Sequence, residues 1–277
     1  MVLNIIFSRG EVVLMLKKLV NVLLVTSLLL GLNVCNVFAN ESEEGYKATK
    51  VNQEEYKEMM TAVKEKVIDG KENEVENLPE VVEFKEKYTE NAINNFVANT
   101  EAYKNAIDEE VISDELKKEL EVETNEEKVV EFEDGSFVVI SDTTEEEFVP
   151  VPLANHTGTA GKSYKTDYKQ QWWGVYLAME AHLITRYTVY KDKIKIYDTD
   201  HAGTKAIFPT TVDAITTSIV RNNQKSVQSK GSYRKTNGVV IGSQPIGYVT
   251  YHTLRTTIAI SSVSGSTVKF TTKSVTE

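Results

Sequence analysis

The stretch that decides the fold class, residues 172–190, reads WWGVYLAMEAHLITRYTVY. Eight of the nine alternate positions that begin at Trp173 are apolar, and alternation of this length is typical of a β-strand with one buried face. A helix is disfavoured because Glu180 would lie on its apolar stripe. Since the stretch is longer than an ordinary strand, we expect a bend or bulge near Gly174 or Ala178.

The sequence around and beyond this stretch favours more strands. From residue 163 onward it is rich in Thr, Ser, Val, Ile and Tyr, and turn signals recur at intervals typical of antiparallel sheets. A tight turn at Lys191 and Asp192 would join the first two strands. We therefore predict that residues 163–277 form an antiparallel all-β sandwich or barrel. The further strands are predicted at 193–197, 212–221, 224–233, 246–261 and 267–273.

The N-terminal part has a different composition and a different period. Residues 40–127 are rich in Glu, Lys, Asn and Ala, and their apolar residues recur at helical spacing. A first helix should end at Gly70, a second and longer helix should begin at Pro79, and a third should be capped by Ser113. The predicted fold class is therefore segregated α+β, with an acidic helical region before the sheets.

Two short segments separate these regions. Residues 128–142 alternate around Asp134 and Gly135, a pair typical of a type I′ turn, so a β-hairpin is predicted there. Residues 143–162 combine consecutive glutamates with alternate prolines, which stiffen an extended chain, and are predicted to form a linker.

The first 39 residues are typical of a secretory signal peptide. Two lysines after Met15 precede an apolar run that is shorter than the roughly 20 residues of a membrane-spanning helix. Cleavage is predicted between Ala39 and Asn40, and the pattern favours Met15 over Met1 as the start of translation. Because the Lys-, Asn-, Ile- and Glu-rich composition is typical of Gram-positive bacteria, we expect a secreted or cell-wall-associated protein of such an organism.

Cysteine chemistry is not expected in the mature chain. Cys35 is the only cysteine in the sequence, and it lies in the predicted leader. A mature chain without cysteine has no intramolecular disulfide, no thiolate nucleophile and no cysteine-ligated metal. Attachment of a lipid to Cys35 is disfavoured because Val34 stands where a lipoprotein signal has a small residue.

The net charge of −10 conceals a strong asymmetry along the chain. Residues 40–150 carry 33 acidic and 12 basic side chains, a net charge of −21, whereas residues 151–277 carry 7 acidic and 16 basic side chains, a net charge of +9. Such a division predicts that the two regions have different partners or pair with each other.

One short cluster has side chains suited to metal binding, namely Asp198, Asp200 and His201. Carboxylates would suit calcium and the histidine would suit zinc, but the further acids and the glycine of a calcium loop do not follow. A hydrogen-bonded polar turn is the favoured interpretation. His182 and His252 could act as general bases, but neither has a serine in a nucleophile-elbow context. We therefore predict no catalytic residue, no cofactor and no metal.

Lysines and aromatic residues interleave at the start of the β region, and basic residues recur further along it. Basic patches with exposed aromatic rings suit anionic polymers or lipid headgroups, so this segment is the candidate ligand surface. The alternative is that the charges only keep the sheet soluble and protect its edges. The candidate residues are Lys162, Tyr164, Lys165, Tyr168, Lys169 and Trp172.

Three hypotheses for function follow from these observations. The first is a non-enzymatic β domain that binds a cell-wall polymer, an anionic lipid or a host glycan, with the acidic region as a solubilising segment or pro-region that pairs with the basic one. The second is a secreted toxin or bacteriocin-like effector released by cleavage of the linker. The third is a metal-dependent enzyme that uses the Asp198 cluster. Nucleic acid is not expected as a partner, because export removes the protein from the compartment that holds it.

Overall fold

The structure, a computed structural model, describes residues 47–107, 112–147, 161–206, 210–241 and 244–277. The predicted leader and its cleavage position lie outside the described residues. Most of the predicted linker, residues 148–160, also lies outside them.

The helices of the described chain lie between residues 53 and 119, in the predicted helical region. The first and third predicted helices are confirmed, and Ser113 caps the third by accepting a hydrogen bond from the Leu116 N–H at 3.1 Å. The helical elements are α1 (Gln53–Ile68), a 3₁₀ helix (Glu72–Asn77), α2 (Pro79–Lys87), α3 (Glu90–Val97), α4 (Glu101–Ile107) and α5 (Asp114–Glu119).

The second predicted helix is divided into α2, α3 and α4. Tyr88 is extended and bridges to Ala48, which ends α2. The Thr89 side chain then caps α3 by accepting a hydrogen bond from the Ala92 N–H at 3.2 Å. The helix breaks here because the capping threonine offers the backbone a local alternative to a continuous helix. The apolar residues on both sides of the break keep helical spacing, so the sequence pattern did not reveal it.

The strands form two antiparallel sheets rather than one closed barrel within the described residues. The strands are β1 (Val122–Glu123), β2 (Glu127–Glu131), β3 (Phe137–Glu147), β4 (Lys162–Trp173), β5 (Leu177–Val189), β6 (Ile194–Asp200), β7 (Lys205–Ala206), β8 (Thr210–Arg221), β9 (Ser226–Ile241), β10 (Gln244–Ser264) and β11 (Thr267–Thr276). One sheet has the order β2-β3-β4-β5-β6, with β7 paired to β5, and the other has the order β1-β11-β10-β9-β8.

Residues 172–190 form parts of two strands, so the expectation of one long bent strand is wrong. The chain reverses after Trp173, where the Gly174 N–H donates a hydrogen bond to the Tyr176 carbonyl at 2.9 Å. The register shifts by one residue at the same point, which keeps the apolar alternation in phase across the turn. A hairpin therefore produces the same period-two pattern as a single strand with a bulge.

The boundary between the predicted hairpin and the predicted linker also differs in the structure. β2 and β3 form the hairpin around Asp134 and Gly135. β3, however, continues to Glu147, which lies opposite Ser163 of β4. The first five residues assigned to the linker, 143–147, are therefore strand, because they pair with β4, including at the charge-complementary position Glu145–Lys165.

The core is continuous between the helices and both sheets. A single cluster of buried side chains includes Tyr56 of α1, Trp172 and Leu183 of the six-stranded sheet, and Tyr233 and Leu254 of the five-stranded sheet. A second cluster joins the sheets at their other end and includes Tyr187, Ile196, Val227 and Ile258. The helical region and the β region thus share the apolar surface that they bury.

Gly135 is the residue in the β2–β3 turn that can least accept a side chain. Its φ is +92°, and a Cβ atom would lie 2.8 Å from Lys57 Cγ on α1. Gly135→Ala should therefore lower the free energy of unfolding by about 1–3 kcal/mol, measured by urea denaturation.

Gly265→Ala is the matched control, because Gly265 also has a positive φ, +58°, but has nothing within 4 Å of the added Cβ. It should be less destabilising than Gly135→Ala. Equal losses for the two variants would contradict the close contact with α1.

Candidate functional site

The predicted ligand surface on β4 is divided between two faces of the strand. Tyr168 and Trp172 point between the sheets and are fully buried, so neither ring is available to a ligand at the surface. The Tyr168 hydroxyl donates to the Leu120 carbonyl at 3.1 Å, and the Trp172 ring packs edge-on against His252. For these two residues the prediction of a surface role is wrong, because alternation along β4 turns them towards the core.

The remaining candidates on β4 are at least partly exposed, but most already have partners. Tyr164 packs against Phe270 of β11, with ring centroids 4.8 Å apart. Lys162 pairs with Glu146 at 2.8 Å, whereas Lys165 lies 3.9 Å from Glu145. Lys169 lines a groove on the outer face of the six-stranded sheet.

Asp198, Asp200 and His201 do not converge on a common point. Asp198 Oδ2 accepts a hydrogen bond from Arg186 Nη1 at 2.7 Å, and Asp200 Oδ2 lies 3.7 Å from the same nitrogen. The Asp200 Oδ1 atom accepts from the His201 backbone N–H at 2.7 Å. The predicted polar turn is wrong for Asp198 and Asp200, because both belong to β6 and only His201 follows the strand. Among the described residues no group of three or more His, Cys, Asp or Glu side chains is arranged to hold a metal.

His182 lies in an ion-pair cluster on the outer face of β5. Its Nδ1 is 3.0 Å from Asp167 Oδ1 and its Nε2 is 3.0 Å from Glu180 Oε1, while Lys205 Nζ is 2.8 Å from Glu180 Oε2. Burial alone would lower the pKa of His182, but the two carboxylates outweigh burial and raise the pKa to about 9. Burial would raise the pKa of Glu180, but His182 and Lys205 lower it to about 2.

This cluster holds the loop between β6 and β7 in place. Both ring nitrogens of His182 are engaged, so the ring has no nitrogen left to accept a proton from a substrate. The backbone N–H of His182 also donates a hydrogen bond to Thr204 Oγ1 at 3.0 Å. Gly203 lies against the imidazole ring, where an added Cβ atom would be 2.9 Å from Nε2. The geometry is that of a structural clamp rather than of a general base.

His252 is fully buried between the two sheets. Burial and the charge of Lys235 keep its pKa well below the ordinary value, so the ring is neutral. Its Nε2 donates to Gln170 Oε1 at 2.8 Å, because an amide oxygen can only accept. His252 therefore belongs to a hydrogen-bonded core network and is inaccessible to a substrate. The fourth histidine, His156, lies outside the described residues.

The groove beside the His182 cluster has a volume of about 580 Å³ and lies between the 3₁₀ helix and the strands β4, β5 and β7. Three of its polar lining residues are linked to one another. Gln171 Nε2 lies 3.4 Å from Glu180 Oε1, which also binds His182, and Lys205 pairs with Glu180 Oε2. The charged groups at this end of the groove therefore stabilise the fold.

The five-stranded sheet has a second group of basic residues, which lie on the face turned away from the core. Residues 210–277 contain eight basic residues and only two acidic residues, Asp213 and Glu277. Along β9, Ser229 and Tyr233 are buried, whereas Lys230 and Ser232 between them are partly exposed. We call this surface the basic face; its residues are Arg221, Lys230, Arg234, Arg255 and Lys273.

The register of the sheet brings these charges together. Lys230 lies directly opposite Arg255, and directly opposite like charges repel. The Glu277 carboxylate lies between them, 3.5 Å from Lys230 Nζ and in contact with the Arg255 guanidinium. Lys273 at the next strand pairs with Glu121 at 2.6 Å.

The basic face was only partly accessible from the sequence. The excess of basic residues over residues 210–277 is visible there, and so is the even spacing of Lys230 and Arg234, four positions apart on β9. The pairing of Lys230 with Arg255 depends on the register of β9 and β10, which the sequence does not specify.

Comparison with known proteins gives no match to a family model, to a curated protein or to a solved structure. No helix within the described residues is long and apolar enough to cross a membrane.

The His182 cluster should make stability depend on pH in a defined window. The raised pKa of His182 supplies stability that is fully present below pH 6.5, the ordinary value, and is lost as the pH rises through about 9. We expect the urea midpoint of the wild type to fall over this range. His182→Gln should have a lower midpoint at pH 6 and a flatter profile above it.

His201→Gln serves as the matched control, since His201 lies outside the cluster and its replacement should leave the wild-type profile intact. Parallel pH profiles for the wild type and His182→Gln would show that the cluster does not supply this stability.

Proposed function

We propose that the protein is an exported, non-enzymatic binding module that holds an anionic surface or polymer on its basic face. The observation that carries this proposal is the direct opposition of Lys230 and Arg255, which places two cations on adjacent strands with one carboxylate between them. The protein would work outside the cell or at the cell wall, as the leader-like residues 1–39 suggest.

The position of Glu277 supports an anion site at this point. Its carboxylate oxygens occupy the space between the Lys230 ammonium and the Arg255 guanidinium, so an oxyanion of a ligand could take the same place. The Lys230 and Arg255 side chains are partly exposed, and exposed ion pairs contribute only about 0–1 kcal/mol. A polyanion that offers several charges could therefore displace the Glu277 carboxylate.

The surroundings of the basic face favour an oxyanion polymer. Thr253 and Thr257 lie on the same face of β10 as Arg255 and are partly exposed, and Ser232 lies opposite Thr253 on β9. Hydroxyl groups donate hydrogen bonds to phosphate and sulfate oxygens without adding charge. Phosphate-bearing cell-wall polymers and anionic lipids share this chemistry.

We further infer that the two sheets form a β-sandwich. Hydrogen bonds run from one sheet to the other, including Thr185 Oγ1 to Ser229 Oγ at 2.7 Å and Gln170 Nε2 to Thr276 Oγ1 at 2.6 Å. The second core cluster also draws its side chains from both sheets. Packing of two sheets through their inner faces is the defining feature of a sandwich.

The contacts across the predicted linker favour a protein that works in one piece over an effector released by cleavage. β3 precedes the linker and pairs with β4 along its whole length, and β1 pairs with β11. Removing the chain before residue 148 would remove β3, one of the two strands that pair with β4, and would expose Trp172. The acidic helical region is therefore better explained as a permanent, solubilising part of the molecule than as a detachable pro-region.

Neutralising the pair on the basic face should weaken binding to a polyanion. The double variant Lys230→Gln/Arg255→Gln should bind immobilised poly(glycerol phosphate) about tenfold or more weakly, since each basic residue near an anionic surface contributes about 1 kcal/mol. Glu277→Gln should act in the opposite direction and raise the affinity a few-fold. Both changes are measured by surface plasmon resonance at two salt concentrations.

The matched control is Lys104→Gln/Lys118→Gln, which removes the same charge from exposed positions on α4 and α5. It should leave the affinity within about twofold of the wild type, because neither lysine belongs to the basic face. Equal losses of affinity in the two double variants would contradict the proposal, since binding would then depend on net charge alone.

Cleavage within residues 148–160 should leave the protein assembled. A specific protease site inserted there and then cut should give two fragments that elute together in gel filtration, because β3–β4 and β1–β11 pairing and the shared core hold them. Separation should require denaturant. A folded C-terminal fragment that elutes alone without denaturant would instead revive the released-effector hypothesis.

A further inference from the structure

The β9–β10 hairpin extends beyond the strands on either side of it. β9 and β10 pair with each other as far as Ile241 and Gln244. β8 pairs with β9 no further than Asn237, and β11 pairs with β10 no further than Leu254. Within the described residues the last part of the hairpin is therefore a two-stranded ribbon of four pairs, about 14 Å long.

The sequence of this ribbon contains no charge. From Thr236 to Leu254 there is no Asp, Glu, Lys or Arg, and the residues include Val, Ile and Tyr at many positions. The uncharged stretch is bounded by Lys235 on one strand and Arg255 on the other. The rest of this sheet is rich in basic residues, and sheet edges are ordinarily protected by charge, so an uncharged stretch of this length is unusual.

Two side chains at the base of the ribbon are exposed and apolar. Tyr251 is 58% exposed and Val249 is 38% exposed. Alternation along β10 places both on the same side as Arg255, and Tyr251 lies directly opposite Arg234. The apolar side chains and the basic face thus share one surface.

We propose that the uncharged end of this hairpin, residues 238–241 of β9 and 244–251 of β10, inserts into the interface of a membrane that contains anionic lipid. The inference rests on the proposed function and assigns its anionic surface to a phospholipid bilayer. The apolar hairpin would enter the headgroup region while the basic face binds the lipid phosphates around it. Tyr251 lies where the two zones meet, and tyrosine is enriched at that level of a bilayer.

Backbone hydrogen bonding limits the depth of insertion. The two outer edges of a ribbon leave N–H and C=O groups without partners, and these groups cannot enter hydrocarbon without a large cost. The hairpin of a single molecule would therefore remain about 5–10 Å deep, at the boundary of the headgroups and the acyl chains. This geometry predicts an anchor that leaves the bilayer sealed.

The test uses the full-length mature chain and vesicles of phosphatidylcholine with or without phosphatidylglycerol. Flotation should recover the protein with the anionic vesicles and not with the neutral ones. The double variant Val249→Asp/Tyr251→Asp should bind the anionic vesicles on the order of tenfold more weakly, because it places charge at the inserting surface. Binding equal to that of the wild type would overturn the inference.

The matched control is Val220→Asp/Val263→Asp, which adds the same charge at two other exposed apolar positions, 50% and 47% exposed. The control should retain binding within about twofold, since both positions are outside the hairpin. A loss as large as that of the hairpin variant would show that added negative charge alone explains the effect, and would also overturn the inference.

Insertion has a spectroscopic signature that is separate from binding. Val249→Trp should show a blue shift of its emission on anionic vesicles, whereas Val263→Trp should show none. The natural tryptophans, Trp172 and Trp173, are buried and supply a constant background. A shift in neither variant, or release of an entrapped dye by the wild-type protein, would contradict shallow insertion.

Failure of the inference can be told apart from failure of the proposed function. A wild-type protein that binds poly(glycerol phosphate) but neither type of vesicle would leave the basic face as a polymer site and remove the membrane. A protein that binds neither probe would remove both. Recovery of the protein only when a second protein is present would identify the hairpin as a protein-docking element and overturn its role at a membrane.

Discussion

A buried carboxylate, Asp142, joins the two sheets and with them the middle of the described chain and its last strand, β11. Asp142 is on β3 and accepts hydrogen bonds from Thr272 Oγ1 at 2.9 Å and Ser274 Oγ at 2.8 Å, both on β11, and it lies 3.3 Å from Thr144 Oγ1. Burial raises its pKa to about 6 even though these hydroxyls favour the charged form. A carboxyl group in this position requires all its partners, because a buried charge without hydrogen bonds is far more costly.

This requirement explains why the acidic and basic regions are inseparable in the structure. Asp142 lies before the predicted linker and its partners lie at the far end of the sequence, so no fragment that begins after residue 147 contains the complete network. The pairing of β3 with β4 has the same consequence for the backbone. Charge asymmetry along the sequence therefore describes two surfaces of one folded body, rather than two bodies that meet by attraction.

The sequence was informative about element type and much less informative about connection. Apolar alternation identified the strands around residues 172–190, but a turn at Gly174 with a one-residue shift in register preserves that alternation, so one strand and two could not be distinguished. Thr143 and Glu147 carry the composition of a linker, and only the partner strand β4 makes them strand residues. Pairing over long sequence separations is a tertiary property that local composition does not encode.

The candidate site shows the same limit. Aromatic and basic residues that alternate on β4 appeared as one surface in the sequence, yet the strand sends Tyr168 and Trp172 inwards and the lysines outwards. Alternation would have separated them if β4 had been recognised as a strand, which its interrupted apolar pattern does not allow. The basic face shows the converse: Lys230 and Arg255 are 25 positions apart in the sequence, and only the β9–β10 register places them opposite each other.

The distribution of charge over the folded body also constrains how it can approach an anionic surface. Helices α1 and α2 contact the six-stranded sheet region, with Lys64 of α1 paired to Glu131 of β2 and Lys85 of α2 over the Tyr176 ring at 4.8 Å. The helical elements together carry 15 acidic and 8 basic side chains. The five-stranded sheet carries the basic face. Under the proposed function, an anionic surface would repel the acidic helical region and attract the basic face over a Debye length of about 8 Å at physiological salt, so encounter would orient the molecule before contact. The same orientation would bring the uncharged β9–β10 hairpin to the surface, because Tyr251 and Arg234 lie opposite each other on adjacent strands. The acidic helices would then contribute to the proposed binding without touching the ligand, by disfavouring the orientations in which the basic face points away from it.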